Sequence, residues 1–254
     1  MKTPLQEPNT FNCVNFLKTH IPEGSVVNSF LFYSGGLEFQ LAASNRFVIG
    51  TTNKYVIYEF WHCAFRDPER VMKSAEFFHG RMVPQMAHLM QEGWAGYKDP
   101  FVRAALFFLL NRYSDVASPS RGHVRLDAYN PIASMRFRRL PELQNFFVNF
   151  HHDDDYMIGI EESPPADYFL FPVGKFNYNL FEHGKSTGYE TVSVNHRELR
   201  EKLHSIGDQK AMIIYHNHRA IPKFYKDFNL HYLDAYGRPT SDAEEAKEVI
   251  VANF

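Results

Sequence analysis

Residues 28–53, NSFLFYSGGLEFQLAASNRFVIGTTN, restrict the possible folds more than any other stretch. They read as strand, glycine turn, helix and strand. Phe30–Tyr33 is short, apolar and aromatic, which predicts a strand. Ser34-Gly35-Gly36 predicts a tight turn, because glycine admits positive φ and close backbone approach. Leu37–Ala43 has a helical pattern, and Arg46–Gly50 predicts a second strand. A doubly wound sheet receives nucleotide-like ligands at a glycine turn between a strand and a helix. Two glycines without GxGxxG spacing also serve as a plain connector, and this stretch alone leaves both readings open.

The chain has 254 residues, which predicts one large domain or one domain with an inserted lobe. No apolar run is long enough to span a bilayer, and MKTPLQEPNTFN lacks a signal-peptide core, so no membrane partner is expected. Cys13 and Cys63 have no metal-ligand spacing, and a reducing cytoplasm is the expected location. The net charge of −2 excludes a globally basic protein, so any nucleic-acid surface must be a local patch.

Thr10–His20 predicts a short amphipathic helix. KYVIYEFWHCAF, after Asn53, predicts a helix leaving the sheet, and Asp67-Pro68-Glu69 starts another, with Asp as N-cap and Pro in the first turn. Val83–Met90 continues the helical run, and Phe101–Tyr113 is the clearest buried helix. Further on, Pro141–Phe147 predicts a short helix, and Phe147–Phe150 and Ala166–Leu170 predict strands. Asn195 is placed as the N-cap of a helix that stops at Gly207, and Lys210–Tyr215 is a buried strand. Leu230–Tyr236 and Lys247–Asn253 predict two closing strands. The run His151-His152-Asp153-Asp154-Asp155 invites a metal reading. Adjacent strand residues point to opposite faces, however, and no metal site is expected.

The motifs FYSGGLEF and VIGTTN resemble the first two motifs of Dam-type DNA adenine-N6 methyltransferases, F-x-G-x-G-x-x-F and a strand ending in A-D-x-N. Phe32, Gly36, Phe39 and Asn53 match. The Asp that would hold the ribose of S-adenosylmethionine is Thr51 here. Asn111-Arg112 resemble the family's N-R helix, VNFHHDD its V-x-F-x-x-x-D stretch, KAMIIYHNH its L-I-S-N-H strand end, and AKEVIVANF its ending. The resemblance implies an α/β, Rossmann-like methyltransferase fold with a mixed central sheet flanked by helices and an inserted, mostly helical target-recognition lobe. It assigns 1–56 and 141–254 to the α/β domain and 57–140 to the lobe. The cofactor positions it implies are Phe32, Ser34, Gly35, Gly36, Thr51, Asn53 and Asp154.

The chemical motifs depart from the family. FNCVNFLK stands where a W-A-G-G-K-like motif would, and its glycine pair and lysine are absent. After the strand, the family's D-P-P-Y is replaced by Phe171-Pro172-Val173-Gly174. Adenine's exocyclic amine is a poor nucleophile. The family's Asp and a backbone carbonyl accept its hydrogens while the Tyr stacks on the flipped base. A chain without these groups is expected to be a catalytically degenerate relative, a DNA- or protein-binding module for which no cofactor is required. The alternatives are an active enzyme with a divergent motif, which would need S-adenosylmethionine, and a pseudoenzyme subunit of a larger assembly, such as a viral one.

Between Tyr97 and Leu140 there are eight Lys/Arg and three Asp, a local excess that would suit a phosphate backbone. Arg112, Arg121, Arg125, Arg136, Arg138 and Arg139 are the candidate nucleic-acid contacts within this stretch. The competing reading pairs several of them with carboxylates of the acidic segment that follows.

Overall fold

The computed structural model describes residues 1–152, 156–176, 194–206 and 208–254. The chain opens with α1 (Val14–His20), β1 (Val26–Ser29), α2 (Glu38–Ala42) and β2 (Phe47–Thr52). Five helices follow: α3 (Tyr55–Arg66), α4 (Pro68–His79), α5 (Pro84–Gly93), α6 (Pro100–Tyr113) and α7 (Pro131–Arg138). The chain then continues through β3 (Phe146–Phe150), α8 (Tyr156–Glu161), β4 (Tyr168–Gly174), α9 (His196–Ser205), β5 (Lys210–His216), α10 (Ile221–Phe224), β6 (Asn229–Leu233) and β7 (Glu248–Ala252).

The seven strands form one mixed sheet in the order β3-β2-β1-β4-β5-β7-β6. The first five are parallel, and β7 runs antiparallel between β5 and β6. The strand order reverses direction at β1, which pairs with β2 on one side and β4 on the other. That reversal is the topological switch point of a doubly wound sheet. The fold is therefore α/β with a mixed central sheet, as the sequence predicts.

Two compact units divide the chain. The sheet unit holds Asn9–Asn53 and the described residues from 145 onward, and the helical unit holds Met1–Pro8 and Lys54–Gln144. In the sheet unit, Phe30 packs edge-on against Phe169 at 5.3 Å and stacks on Phe171 at 5.1 Å. Each such buried ring contributes roughly 1.5–3 kcal/mol. In the helical unit α6 is buried on almost every side, and Phe107 stacks on Phe60 at 4.5 Å. The Arg103 guanidinium makes a two-point ion pair with Glu59, one arm at 2.6 Å, across α6 and α3. Local signals set the helix starts: the Arg70 N–H donates to the Asp67 carboxylate at 2.9 Å, and Asn195 caps α9 through the N–H groups of Arg197 and Glu198. Among the described residues no helix is long and apolar enough to cross a membrane.

Four expectations need correction. The helix predicted over Pro141–Phe147 is a single 3-10 turn at Leu140–Glu142, and Phe146 and Phe147 already belong to β3, paired with β2. The first strand is Val26–Ser29, not Phe30–Tyr33. Leu31 has φ +58° and turns the chain out of the sheet, so the aromatic run fills the space beyond the strand end. The helix predicted from Thr10 begins at Val14, because the backbone of Thr10 and Asn12 is tied to His216 and Glu248 of the sheet. Phe171-Pro172-Val173-Gly174 does not follow β4 but is its second half, paired with β5. Phe171 is fully buried there, and the ladder shifts register between Pro172 and Gly174, which accommodates a proline inside a central strand.

Candidate functional site

In a doubly wound sheet the carboxyl ends of the strands beside the switch point form the ligand crevice. Here that edge is built from the segments following β1, β2 and β4. After β1 the chain runs Phe30–Gly36. The Phe32 N–H donates to the Thr51 carbonyl at 3.1 Å, tying this segment to β2. The Phe32 ring lies across Gly50 and meets Phe146 at 5.3 Å. A Cβ on Gly50 would come within 2.8 Å of that ring, so glycine is needed there for close approach.

The glycine turn has the expected backbone, with Gly35 at φ +75°. The space beside it is occupied. A Cβ on Gly35 would come within 2.6 Å of the Phe39 ring, which also packs on Phe146 at 4.9 Å. The flanking residues Tyr33 and Leu37 are half-buried and buried respectively. Ser34 is half-buried in the turn, and the Gly36 carbonyl accepts from Gln40 Nε2 at 2.8 Å. Thr51, at the ribose-binding position of the resemblance, donates its hydroxyl to Asn28 Oδ1 at 2.7 Å. Both side chains are buried, and Asn28 Nδ2 has no hydrogen-bond partner. Asn53 lies buried just past the end of β2. Asp154 falls outside the described residues, as do Asp153 and Asp155. Among the described residues no group of His, Cys, Asp and Glu has the arrangement of a metal site.

Two buried carboxyls were not singled out from the sequence. Glu38, on α2, accepts from the Ser29 hydroxyl at 2.7 Å, and burial pushes its carboxyl above the ordinary value. Glu248, at the start of β7, accepts the Asn12 N–H at 2.6 Å and is raised by the same cause. Its Oε2 is buried without a partner. Glu248 and Glu38 both push up the Cys13 thiol, whose own burial contributes most.

The segment before Cys13 runs along the carboxyl edge of β4 and β5. Asn9 Nδ2 donates to the Val173 carbonyl at 3.4 Å. The Asn9 side chain fills the space a Cβ on Gly174 would need, and Gly174 has φ +78°. The Thr10 carbonyl lies 3.3 Å from His216 Nε2, and the Phe11 ring packs on His216 at 5.7 Å. No residue pattern in the sequence signals this arm, because its contacts are made with strands far along the chain.

Beyond Gly174, Lys175 is exposed and Phe176 turns inward. Phe176 packs against His196 at 4.6 Å and Tyr215 at 5.4 Å. It is the aromatic nearest the end of β4, and it sits in the core. His196 Nδ1 and the Tyr215 hydroxyl are 3.0 Å apart, and Tyr215 is 2.8 Å from the Tyr225 hydroxyl. The His216-Asn217-His218 run is used for loop geometry: Asn217 Nδ2 donates to the Ala243 and Ala246 carbonyls, and His218 Nδ1 accepts the Ala220 N–H. A shallow depression of about 470 Å³ lies at the opposite, amino edge of the strands, lined in part by Ser25, Asp167 and Lys210.

The basic stretch belongs to the helical unit. Arg125 pairs with Asp127 at 3.2 Å, Arg138 with Glu69 at 3.0 Å and Glu76 at 2.8 Å, and Arg139 with Glu142 at 2.7 Å. With Arg103 on Glu59, at least half of the eight basic residues are neutralised by described carboxylates. Glu59, Glu69 and Glu76 come from helices that precede the stretch. The Arg121 carbonyl accepts from Gln91 Nε2 at 3.0 Å and from the Ser114 hydroxyl at 2.6 Å. Among the described residues Arg112 and Arg136 have no carboxylate partner; Arg112 Nη2 donates to the Ala128 carbonyl and Arg136 Nη1 to the Thr3 carbonyl.

No family model matches the chain, and no curated protein sequence does.

Proposed function

We propose that this chain is a methyltransferase-like protein that has given up methyl transfer and acts as a nucleic-acid-binding module. The observation that carries the reading is the placement of Asn9. Its carboxamide is set against Val173 and Gly174, at the strand end where the resemblance puts the amine-accepting groups. An arm held there competes with any base that would enter. The residues on that edge also do not fit S-adenosylmethionine. The Thr51 hydroxyl is used on Asn28, and the Phe39 ring takes the space beside Gly35. Neither Phe171 nor Val173 offers a side-chain acceptor for an amine hydrogen, and the loss of such groups removes many factors of ten in rate, each about 1.4 kcal/mol of barrier.

A second reading, a protein-binding subunit, is favoured by one observation. Phe147 pairs with Ile49 on β2, next-but-one to Phe47, and the two phenylalanines are 57% and 45% exposed. A partner that co-purifies in fixed stoichiometry would select this reading over the first.

The test is calorimetric titration with S-adenosylmethionine, together with Asp154→Ala. The expected result is no binding heat and no thermal shift at millimolar ligand. Micromolar binding that Asp154→Ala weakens would overturn the degenerate reading and reinstate an active enzyme.

A further inference from the structure

We propose that the carboxyl ends of β4 and β5 and the start of β7 form a peptide-binding groove, which residues 9–12 fill in cis. Its other occupant is a segment of a partner protein that carries a carboxamide side chain and, two residues on, an aromatic one. The proposal goes beyond the nucleic-acid reading and uses no part of it.

The arm is seated as a bound peptide would be. Burial alternates along it: Asn9 and Phe11 are half-buried and Cys13 is buried, whereas Pro8, Thr10 and Asn12 are exposed. Such alternation gives a groove one set of side chains to read and leaves the other set in solvent. The sheet supplies a fitted group at each step. Asn9 Nδ2 donates to the Val173 carbonyl near the end of β4. The Phe11 ring packs on His216 at the end of β5. With its proton on Nε2, the same His216 ring donates to the Thr10 carbonyl. Glu248 takes the Asn12 N–H at 2.6 Å. His216 and Glu248 are direct cross-strand partners, so the β5–β7 register sets a donor and an acceptor for the arm side by side.

Room for the arm is built into the backbone. Gly174 and Gly237 have φ +78° and +73°. A Cβ on Gly174 would collide with the Asn9 carboxamide, and one on Gly237 with the Asn12 carbonyl. Glycine at these two positions therefore keeps the groove open at both ends of the arm. The groups of Thr10 and Asn12 that are held belong to the main chain, which any peptide offers. The carboxamide on Val173 and the ring on His216 are the selective contacts.

The hold is uneven. The Asn12 bond is short, while those of Asn9 and Thr10, at 3.4 and 3.3 Å, exceed the usual N–H···O range of about 2.7–3.2 Å. An incoming segment can therefore displace the arm from the Asn9 end first. A tethered arm competes at an effective concentration in the millimolar range, so the wild-type groove is shielded and weakening the arm uncovers it.

The test uses the full chain and a double variant, Asn9→Gly with Phe11→Ala, which removes two inward side chains of the arm and leaves the groove intact. The probe is a fluorescein-labelled peptide with the sequence of residues 8–12, PNTFN, read by anisotropy. A control peptide, PATAN, lacks the first carboxamide and the ring. The double variant is expected to bind PNTFN about tenfold or more tighter than wild type does, and to bind PATAN about tenfold or more weaker than PNTFN. In wild type, millimolar PNTFN is expected to displace the arm and speed proteolytic cleavage within residues 9–13 severalfold, while PATAN leaves it unchanged. This second readout needs no variant to fold. Equal binding of the two peptides, or no binding to the variant together with unchanged wild-type cleavage, would overturn the proposal. Neither DNA nor S-adenosylmethionine enters the experiment, so its failure is distinguishable from a failure of the nucleic-acid reading.

Discussion

The Thr51 hydroxyl donates to Asn28 Oδ1 at 2.7 Å, linking neighbouring parallel strands inside the sheet unit. Asn28 is fully buried, and its Nδ2 is already unpaired. Thr51→Val would leave both ends of the carboxamide unsatisfied, at a cost of about 1–3 kcal/mol. Replacing both partners, Asn28→Leu with Thr51→Val, removes the polar groups together and should cost less than Thr51→Val alone. Urea unfolding of the two single variants and the double variant completes the cycle. A double variant less stable than Thr51→Val would mean that packing, not polarity, sets the choice of residues.

Gly174 is at φ +78° with the Asn9 side chain beside it. Gly174→Ala should lower stability by about 1–2 kcal/mol from backbone strain alone. It should also push the Asn9 side chain away and speed proteolytic cleavage in residues 9–13. Asn9→Ala removes the bond to Val173 without the strain, and is expected to speed cleavage with little change in the unfolding midpoint. Unchanged cleavage in both variants would show that the arm is held by Asn12 and Thr10 instead.

Glu38 and Glu248 give the protein a defined pH signature. Both carboxyls are raised from the ordinary value of 4.5, chiefly by burial. The folded state therefore holds protons that the unfolded state has released. Their contribution is fully present below pH 4.5 and is lost as pH rises through the raised folded values. Glu38→Gln with Glu248→Gln keeps an acceptor for Ser29 and Asn12 and removes the titration. The difference in unfolding free energy between variant and wild type should grow in the variant's favour above pH 4.5, each tenfold change in proton affinity being worth about 1.4 kcal/mol. A pH-independent difference would place the proton uptake elsewhere.

Much of the architecture was legible because its signals are local. The closing strands fall within one or a few residues of Leu230–Tyr236 and Lys247–Asn253, and α6 within one residue of its predicted start. The Asp67 and Asn195 caps act where their side chains place them. The misplacements have a different origin. Phe30 and Phe32 carry strand-like composition, yet they serve as packing for Phe171 and Gly50 beyond the strand. Pro172 punctuates the sequence like a strand end, but a register shift absorbs it. At the candidate site, Gly35 was readable from its type, and Thr51 was visible as a departure from an acidic residue. The partners of both residues, Phe39 and Asn28, are chosen by tertiary contact. So is Asn9, whose bond to Val173 spans most of the chain. For the arginines, charge counting gave a basic stretch, whereas geometry decides which charges are already cancelled.

β2 and β3 are parallel neighbours, and the whole of residues 53–145 lies between them. A parallel pair must always wait for its crossover, and here the crossover includes nearly an entire unit. Until those helices collapse, closing β3 onto β2 costs the entropy of a very long loop, and afterwards only that of a short one. During that interval β2 keeps a bare edge of amides and carbonyls, the kind that templates pairing between chains. How quickly five helices fold would then set how long a nascent chain is exposed to self-association, so core substitutions around Phe107 that slow helical folding are a route to aggregation even where the final stability is hardly changed.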